Sequence, residues 1–120
     1  ELEYESFSAD QVTVTFRGFN THPGYAKGRM VNALKLAARF VDRLPADRLS
    51  PETTAGRDGF VHPYAMDAGV DRTAVKFIVR DFATAGLADK AAWLRGLAEA
   101  VVADVPGAAV DVHVVEQYRN

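Results

Sequence analysis

Phe60-Val61-His62-Pro63-Tyr64-Ala65-Met66-Asp67-Ala68-Gly69-Val70-Asp71-Arg72-Thr73-Ala74-Val75-Lys76-Phe77-Ile78-Val79-Arg80-Asp81-Phe82 is the stretch that decides the fold. It reads as two extended runs, Phe60 to Asp71 and Thr73 to Phe82, with Asp71-Arg72 in a hairpin turn. In the second run Val75, Phe77 and Val79 fall on one face, and Lys76, Ile78 and Arg80 on the other. That period of two is the mark of a strand. Pro63 lies inside the first run, and proline has no N–H to give a ladder, so this strand belongs at a sheet edge. Arg80, near the end of the second strand, projects from a fixed backbone.

Outward from this hairpin, each side carries a helical pattern and then a single strand. Before it, the first helix is expected from about Ala26 to Leu44, ended by Pro45. At 100° per residue Met30, Ala33, Leu34, Ala37, Val41 and Leu44 make one face, and Val31, Leu36, Ala38 and Phe40 widen it. The apolar arc then spans roughly 220°, more than the ~100° stripe that covers one sheet. The excess rests mainly on Leu36 and Phe40, and it implies a second buried side against another subunit or domain. Between this helix and the hairpin, Ala46 to Gly59 reads as a loop in which Ser50-Pro51-Glu52 suits a short helical turn. Ahead of the helix, Val12, Val14 and Phe16 alternate with Thr13, Thr15 and Arg17, a half-buried strand from about Gln11 to Gly18.

After the hairpin, Leu87, Ala91, Leu94, Ala98, Val101 and Val105 form a single seam, with Trp93 and Leu97 at its margin. A second helix is therefore expected from Thr84 to Asp104, stopped by Pro106-Gly107. Ala109 to Glu116 is the last strand, with Val110, Val112 and Val114 alternating.

The order βαββαβ predicts an α+β fold: a ferredoxin-like sandwich, a four-stranded antiparallel sheet with two helices on one face. Its second strand is an edge strand, in agreement with Pro63. An over-apolar helix beside an unpaired edge is the pattern of a dimerisation surface.

Composition bounds the function. A chain of 120 residues holds one domain. Its 48% apolar and 25% charged residues are those of an ordinary globular domain. A net charge of -2 favours neither a nucleic-acid nor an anionic membrane partner. No apolar run approaches the roughly 20 residues of a membrane span. Cysteine is absent, so no disulfide framework is possible, which suits a cytoplasmic protein. Glu1 rather than Met opens the chain, and residues 1–120 are read as one domain cut from a longer protein.

The chemistry is sparse. His22, His62 and His113 make no metal pair at helical spacing, and there is no H-E-x-x-H. There is no G-x-S-x-G and no cysteine nucleophile. Gly24-Tyr25-Ala26-Lys27-Gly28 lacks P-loop spacing. His113 reads as a solvated strand residue and His62 as a surface or interface residue. His22 sits in a loop between strand and helix, where function is often carried, although from this stretch alone an incidental histidine in a connection is the plainer reading. The residues thus offer a loop imidazole, a strand-end guanidinium and a self-association surface, not a complete enzyme. One reading is a free-standing ferredoxin-like module for small-ligand binding or regulatory dimerisation, with a cleft around Gly24 to Gly28.

A second reading comes from likeness. His22-Pro23-Gly24-Tyr25-Ala26-Lys27-Gly28-Arg29-Met30-Val31-Asn32-Ala33-Leu34 resembles the lid segment of peptidase T, the tripeptide aminopeptidases of the di-zinc exopeptidase family. So do Pro45-Ala46-Asp47, Ser50-Pro51-Glu52, Gly59-Phe60 and Phe77-Ile78-Val79-Arg80-Asp81-Phe82, and the borders at Glu1 to Glu5 and Tyr118. The resemblance covers essentially the whole chain. It implies a dimerisation, or lid, domain of a hydrolase that removes the N-terminal residue from short peptides. It implies two zinc ions and a general base in a catalytic domain absent here, with no metal ligand in this chain. The partners it implies are a second copy, met through the first helix and the edge strand, the catalytic domains of both chains, and the peptide. His22 matches a histidine that reaches the partner's active site in trans and donates to the developing oxyanion. Arg80 matches an arginine that binds the substrate carboxylate. Asn32 is at a matching position, with helix capping, loop fixing and ligand contact all open. A longer loop near Arg48-Leu49 and a bulky Tyr25 depart from the family and bear on substrate range.

Overall fold

The computed structural model describes residues 8–20, 24, 27–28, 30–45 and 59–119. Six elements follow in the expected order: β1 (Ser8–Arg17), α1 (Ala33–Asp42), β2 (Phe60–Asp67), β3 (Arg72–Asp81), α2 (Thr84–Val102) and β4 (Ala109–Tyr118). One sheet holds the strands in the order β2-β3-β1-β4. Every neighbouring pair is antiparallel. Both helices pack on one face: α1 on β1 and β3, and α2 on β1, β3 and β4. This is the ferredoxin-like α+β sandwich, with β2 at an edge as Pro63 requires.

The core lies between sheet and helices. Val12, Val14 and Phe16 of β1 and Val75, Phe77 and Val79 of β3 meet Leu36 and Phe40 of α1 and Leu87, Leu94, Ala98 and Val101 of α2. Phe40 is the keystone of the α1 half. Its ring centroid lies 5.4 Å from Phe16 and 5.8 Å from Phe77, tilted and edge-on. Such aromatic pairs add to the gain from burial alone.

Several expected boundaries move. The first helix begins at Ala33, not Ala26, and ends at Asp42, not Leu44. Its start is set by Asn32, whose backbone is extended and whose Oδ1 accepts from Leu34 N at 3.0 Å. Upstream, Val31 exchanges two backbone hydrogen bonds with Phe19, at 2.8 and 2.9 Å, and Gly28 has φ of 74°. A segment paired as a β-bridge cannot also be helical, so Met30 and Val31 leave the predicted face.

That shift corrects the reading of the first helix. Its buried residues are Ala33, Leu36, Ala37 and Phe40. They fall within about 100° of arc, a stripe of ordinary width. Leu36 and Phe40 are therefore core residues and not a surplus for a second partner, because the expected face had been centred too far round the helix. Leu34, placed on the buried face by periodicity, is 43% exposed instead.

β1 starts at Ser8 rather than Gln11 and ends at Arg17. Its first residues are buried and polar. Ser8 Oγ and Thr84 Oγ1 share a hydrogen bond of 3.0 Å, and Arg119 holds Asp10 at 2.8 Å. β2 ends at Asp67, not Asp71, and Arg72 opens β3 instead of lying in the turn. Thr73 Oγ1 closes that turn by donating to Gly69 O at 2.8 Å. α2 stops at Val102, short of Asp104, and β4 runs on to Tyr118. The helical turn expected at Ser50-Pro51-Glu52 lies outside the described residues.

Candidate functional site

Of the expected site residues, Asn32 and Arg80 are described, and they fall at two ends of the sheet. At one end β1 runs into Gly18 and Phe19, where three backbone segments meet. Gly18 N donates to Asp71 O at 2.9 Å, Phe19 and Val31 pair, and Ala33 N donates to Val70 O at 2.7 Å. The Phe19–Val31 pair closes the base of the loop that carries His22. His22 itself, like Tyr25 and Arg48-Leu49, lies outside the described residues. Only glycine fits at position 18, since an added Cβ would stand 2.1 Å from Val31 O. Asn32 belongs to this end, and its described role is the N-cap of α1. Of its three possible roles the structure therefore gives helix capping, which also fixes the loop stem.

Arg80 is at the other end. On β3 it stands opposite Phe60 of β2 and Ala9 of β1, on the face of the sheet away from the helices. Eight residues of strand separate it from Arg72, roughly 25 Å at the rise of an antiparallel strand. Asn32 and Arg80 are thus not brought together within one chain.

The guanidinium of Arg80 has an unusual environment. Its central carbon lies 5.6 Å from the centroid of the Phe60 ring. Its Nε is buried and has no hydrogen-bond partner among the described residues. The carboxylate next to it in sequence, Asp81, is turned to the helix side and fully engaged. Lys90 Nζ holds Asp81 Oδ2 at 2.5 Å, and Ala83 N donates to Oδ1 at 2.9 Å. Asp10, near the same end of the sheet, is held by Arg119 at 2.8 Å. A buried donor left unpaired costs about 1–3 kcal/mol, more when charged. Guanidinium presents its N–H groups in a planar fork that matches a carboxylate. Arg80 is thus a donor awaiting an acceptor of that shape.

Sequence reasoning missed what surrounds Arg80. Phe60, His62 and Tyr64 line the outer face of β2. The His62 ring lies 6.4 Å from Phe60, nearly perpendicular, and 6.4 Å from Tyr64. Tyr64 Oη accepts from Gln11 Nε2 at 2.7 Å across the intervening strand. Alternation puts Tyr64 on this face with Phe60 and His62, and a bulge between Pro63 and Ala65 shifts the register after it, so that Met66 stands opposite Val75. The alternation of rings was readable; the bulge was not. His62 is half-buried in this row and His113 is exposed on β4.

A groove of about 490 Å³ between α2 and β4 was also unforeseen. Leu87, Ala88, Ala91 and Val114 line it, and Arg119 at its mouth is paired with Asp10 and Glu116. Among the described residues no three His, Cys, Asp or Glu side chains come together to hold a metal ion. The described residues therefore do not fit a metal centre. No helix of the described residues is long and apolar enough to cross a membrane.

Comparison with known proteins bears on this arrangement. The M20_dimer family, described as the peptidase dimerisation domain, matches residues 4–107. The Peptidase T of Vibrio parahaemolyticus is 41% identical over 120 residues, which are 100% of this chain and 29% of that protein. The Peptidase T of Geobacillus thermodenitrificans is 37% identical over the same shares. This chain spans under a third of the length of these relatives. Among solved structures, aminopeptidase PepT from Bacillus cereus superposes with a TM-score of 0.69 at 18% identity, over 92% of this chain and 29% of that one. A dinuclear metal-binding M20 peptidase from Bacillus subtilis gives 0.65 at 15% identity, over 93% and 26%. At such identities the superpositions establish the fold.

Proposed function

This chain belongs to the peptidase dimerisation domain family of the M20 peptidases, and on that footing we propose that residues 1–120 form the lid of a longer zinc-dependent, aminotripeptidase-like metallopeptidase. In this reading the full-length protein is cytoplasmic and removes the N-terminal residue from short peptides. Its two zinc ions would be held by a catalytic domain outside this chain. Arg80 anchors the terminal carboxylate of the peptide, and His22 of one copy donates to the oxyanion forming in the other.

The observation that carries the reading is Arg80: a buried Nε without an acceptor, while the neighbouring Asp81 and Asp10 are already paired. An uncompensated guanidinium fixed on a strand is what a carboxylate anchor requires. The stem of the His22 loop and Arg80 lie at opposite ends of the central strands, roughly 25 Å apart along the strand. An extended tripeptide spans only about 10 Å. That separation favours a division of labour between two copies over a single site in one.

Self-association in this reading uses α1 and the β2 edge, with different residues from those first expected. Leu34 of α1 is 43% exposed and Met66 of β2 is 45% exposed. Met66 lies on the helix side of the sheet, opposite Val75. The exposed end of β2 around Met66, beyond the buried Val61, is the place for a helix of the second copy.

The test uses the full-length enzyme. Arg80→Ala should raise KM for tripeptides with a free carboxylate by roughly 10- to 100-fold, the worth of a charged hydrogen-bonded contact. It should do much less to the corresponding carboxamides. His22→Ala should lower kcat by roughly 100-fold or more, as for a lost oxyanion donor, with metal content unchanged. An unchanged KM in the first variant, or an unchanged kcat in the second, removes that residue from its role.

A further inference from the structure

Arg80 is not left to find its own geometry. Phe60 is its direct partner across the β2–β3 ladder, and the ring lies beneath the guanidinium at 5.6 Å. The ring is itself held. His62 meets it edge-on at 6.4 Å and 88°, His62 rests at 6.4 Å from Tyr64, and Tyr64 Oη is tied to Gln11 at 2.7 Å. The backbone before it is equally constrained, since a Cβ on Gly59 would come within 2.8 Å of Arg80 O. Strand, turn and ring row thus fix one aromatic face under one cation.

We infer that Phe60 is a positioning residue for Arg80: its ring holds the guanidinium over an aromatic face that supplies no acceptor, so the N–H fork is left for a carboxylate. The inference rests on the reading of Arg80 as the carboxylate anchor and deepens it. The pull of an aromatic face on a cation acts along the normal to the ring and offers the guanidinium no hydrogen-bond acceptor. Hydrogen bonds to a carboxylate run within the guanidinium plane, along its N–H groups. The two do not compete. A free arginine side chain loses much rotamer entropy when it is fixed. An aromatic platform fixes it before the peptide arrives, and preorganisation of this kind appears as affinity. A carboxylate partner such as Asp81 would fix it too, but would fill the fork, and Asp81 is instead drawn to Lys90 on the other face.

The experiment measures kcat and KM of the full-length enzyme on one tripeptide with a free carboxylate and on its carboxamide. Phe60→Leu keeps an apolar side chain and removes the ring. It should raise KM for the free tripeptide roughly three- to tenfold, leave kcat within about twofold, and leave the carboxamide unaffected. Phe60→Tyr keeps the ring and should match the wild type. In an Arg80→Ala background Phe60→Leu should add nothing, because the group it positions is gone. Should Phe60→Leu fail to fold, Phe60→Ile carries the same comparison. A wild-type KM in Phe60→Leu, an equal loss in Phe60→Tyr, or an undiminished effect in the Arg80→Ala background overturns the positioning role while the anchor stands. An unchanged KM in Arg80→Ala alone overturns the anchor, and the positioning role with it.

Discussion

Replacing Gly18 by alanine probes the junction from which the His22 loop is hung. A Cβ at this position would stand 2.1 Å from Val31 O, 2.9 Å from Ala33 N and 2.9 Å from Val70 O. All three are backbone atoms, so no side chain can swing aside. The chain must separate Gly18 from the Val31 strand, and that contact carries the two Phe19–Val31 bonds and the Ala33–Val70 bond, at 2.8, 2.9 and 2.7 Å. At about 1 kcal/mol net for each bond, full loss costs about 3 kcal/mol. Alanine returns roughly 0.4–1 kcal/mol by restricting the unfolded chain, which leaves a loss of about 2 kcal/mol. Urea unfolding of the 120-residue chain, followed by the fluorescence of Trp93, its single tryptophan, measures this directly. With a urea slope of about 2 kcal/mol/M, the midpoint should fall by about 1 M. On the roles proposed for His22 and Arg80, the same substitution in the full-length protein should lower kcat and spare KM. A midpoint within about 0.2 M of wild type would refute the account of the junction.

The remaining predictions concern the cap, an ion pair and the dimer. Asn32→Ala should cost about 1 kcal/mol through loss of the α1 cap, and Asn32→Asp should keep most of it; equal unfolding midpoints for wild type and Asn32→Ala would remove the capping role. Asp81→Ala leaves Lys90 without its partner at 2.5 Å and Ala83 N without an acceptor. With both side chains under a fifth exposed, the loss should be about 1–3 kcal/mol, and a neutral result by chemical denaturation would contradict the pairing. Leu34→Arg combined with Met66→Arg should shift the full-length protein from dimer to monomer in sedimentation, and a dimer undiminished at micromolar concentration would place the interface elsewhere.

Most of the fold was legible because its elements obey single rules. The alternation in Val75, Phe77 and Val79 and the seam from Leu87 to Val101 each admit one period, and Pro63 admits only an edge. The first helix failed for a reason that periodicity cannot see. Met30 is apolar and falls in phase with Ala33 and Ala37, and Val31 with Leu34 and Ala38, so nothing in the pattern separates them from the helix. What separates them is the pair of hydrogen bonds between Val31 and Phe19, twelve residues away, together with a cap at Asn32. An asparagine inside a predicted helix was the available signal, since its side chain competes for backbone N–H groups and favours caps. The start of β1 was missed for the opposite reason. Ser8 and Asp10 are polar on a buried face, and their partners Thr84 and Arg119 lie far along the chain.

The site was legible as residues and not as geometry. Arg80 at a strand end was readable, but its significance comes from two facts no spacing contains: its Nε has no acceptor among the described residues, and Asp81 is claimed by Lys90. Consecutive residues of a strand face opposite sides, so a salt bridge between Arg80 and Asp81 is geometrically denied. The sheet thereby sorts the charges. Asp81 serves the helix layer, bracing the start of α2, while Arg80 remains on the open face with its charge unspent. In the proposed reading, a domain that must offer a cation to a substrate carboxylate needs this sorting, because any resident carboxylate on the open face would have to be displaced. The same strand alternation that builds the core keeps Asp81 away from Arg80 and leaves its Nε without an acceptor among the described residues.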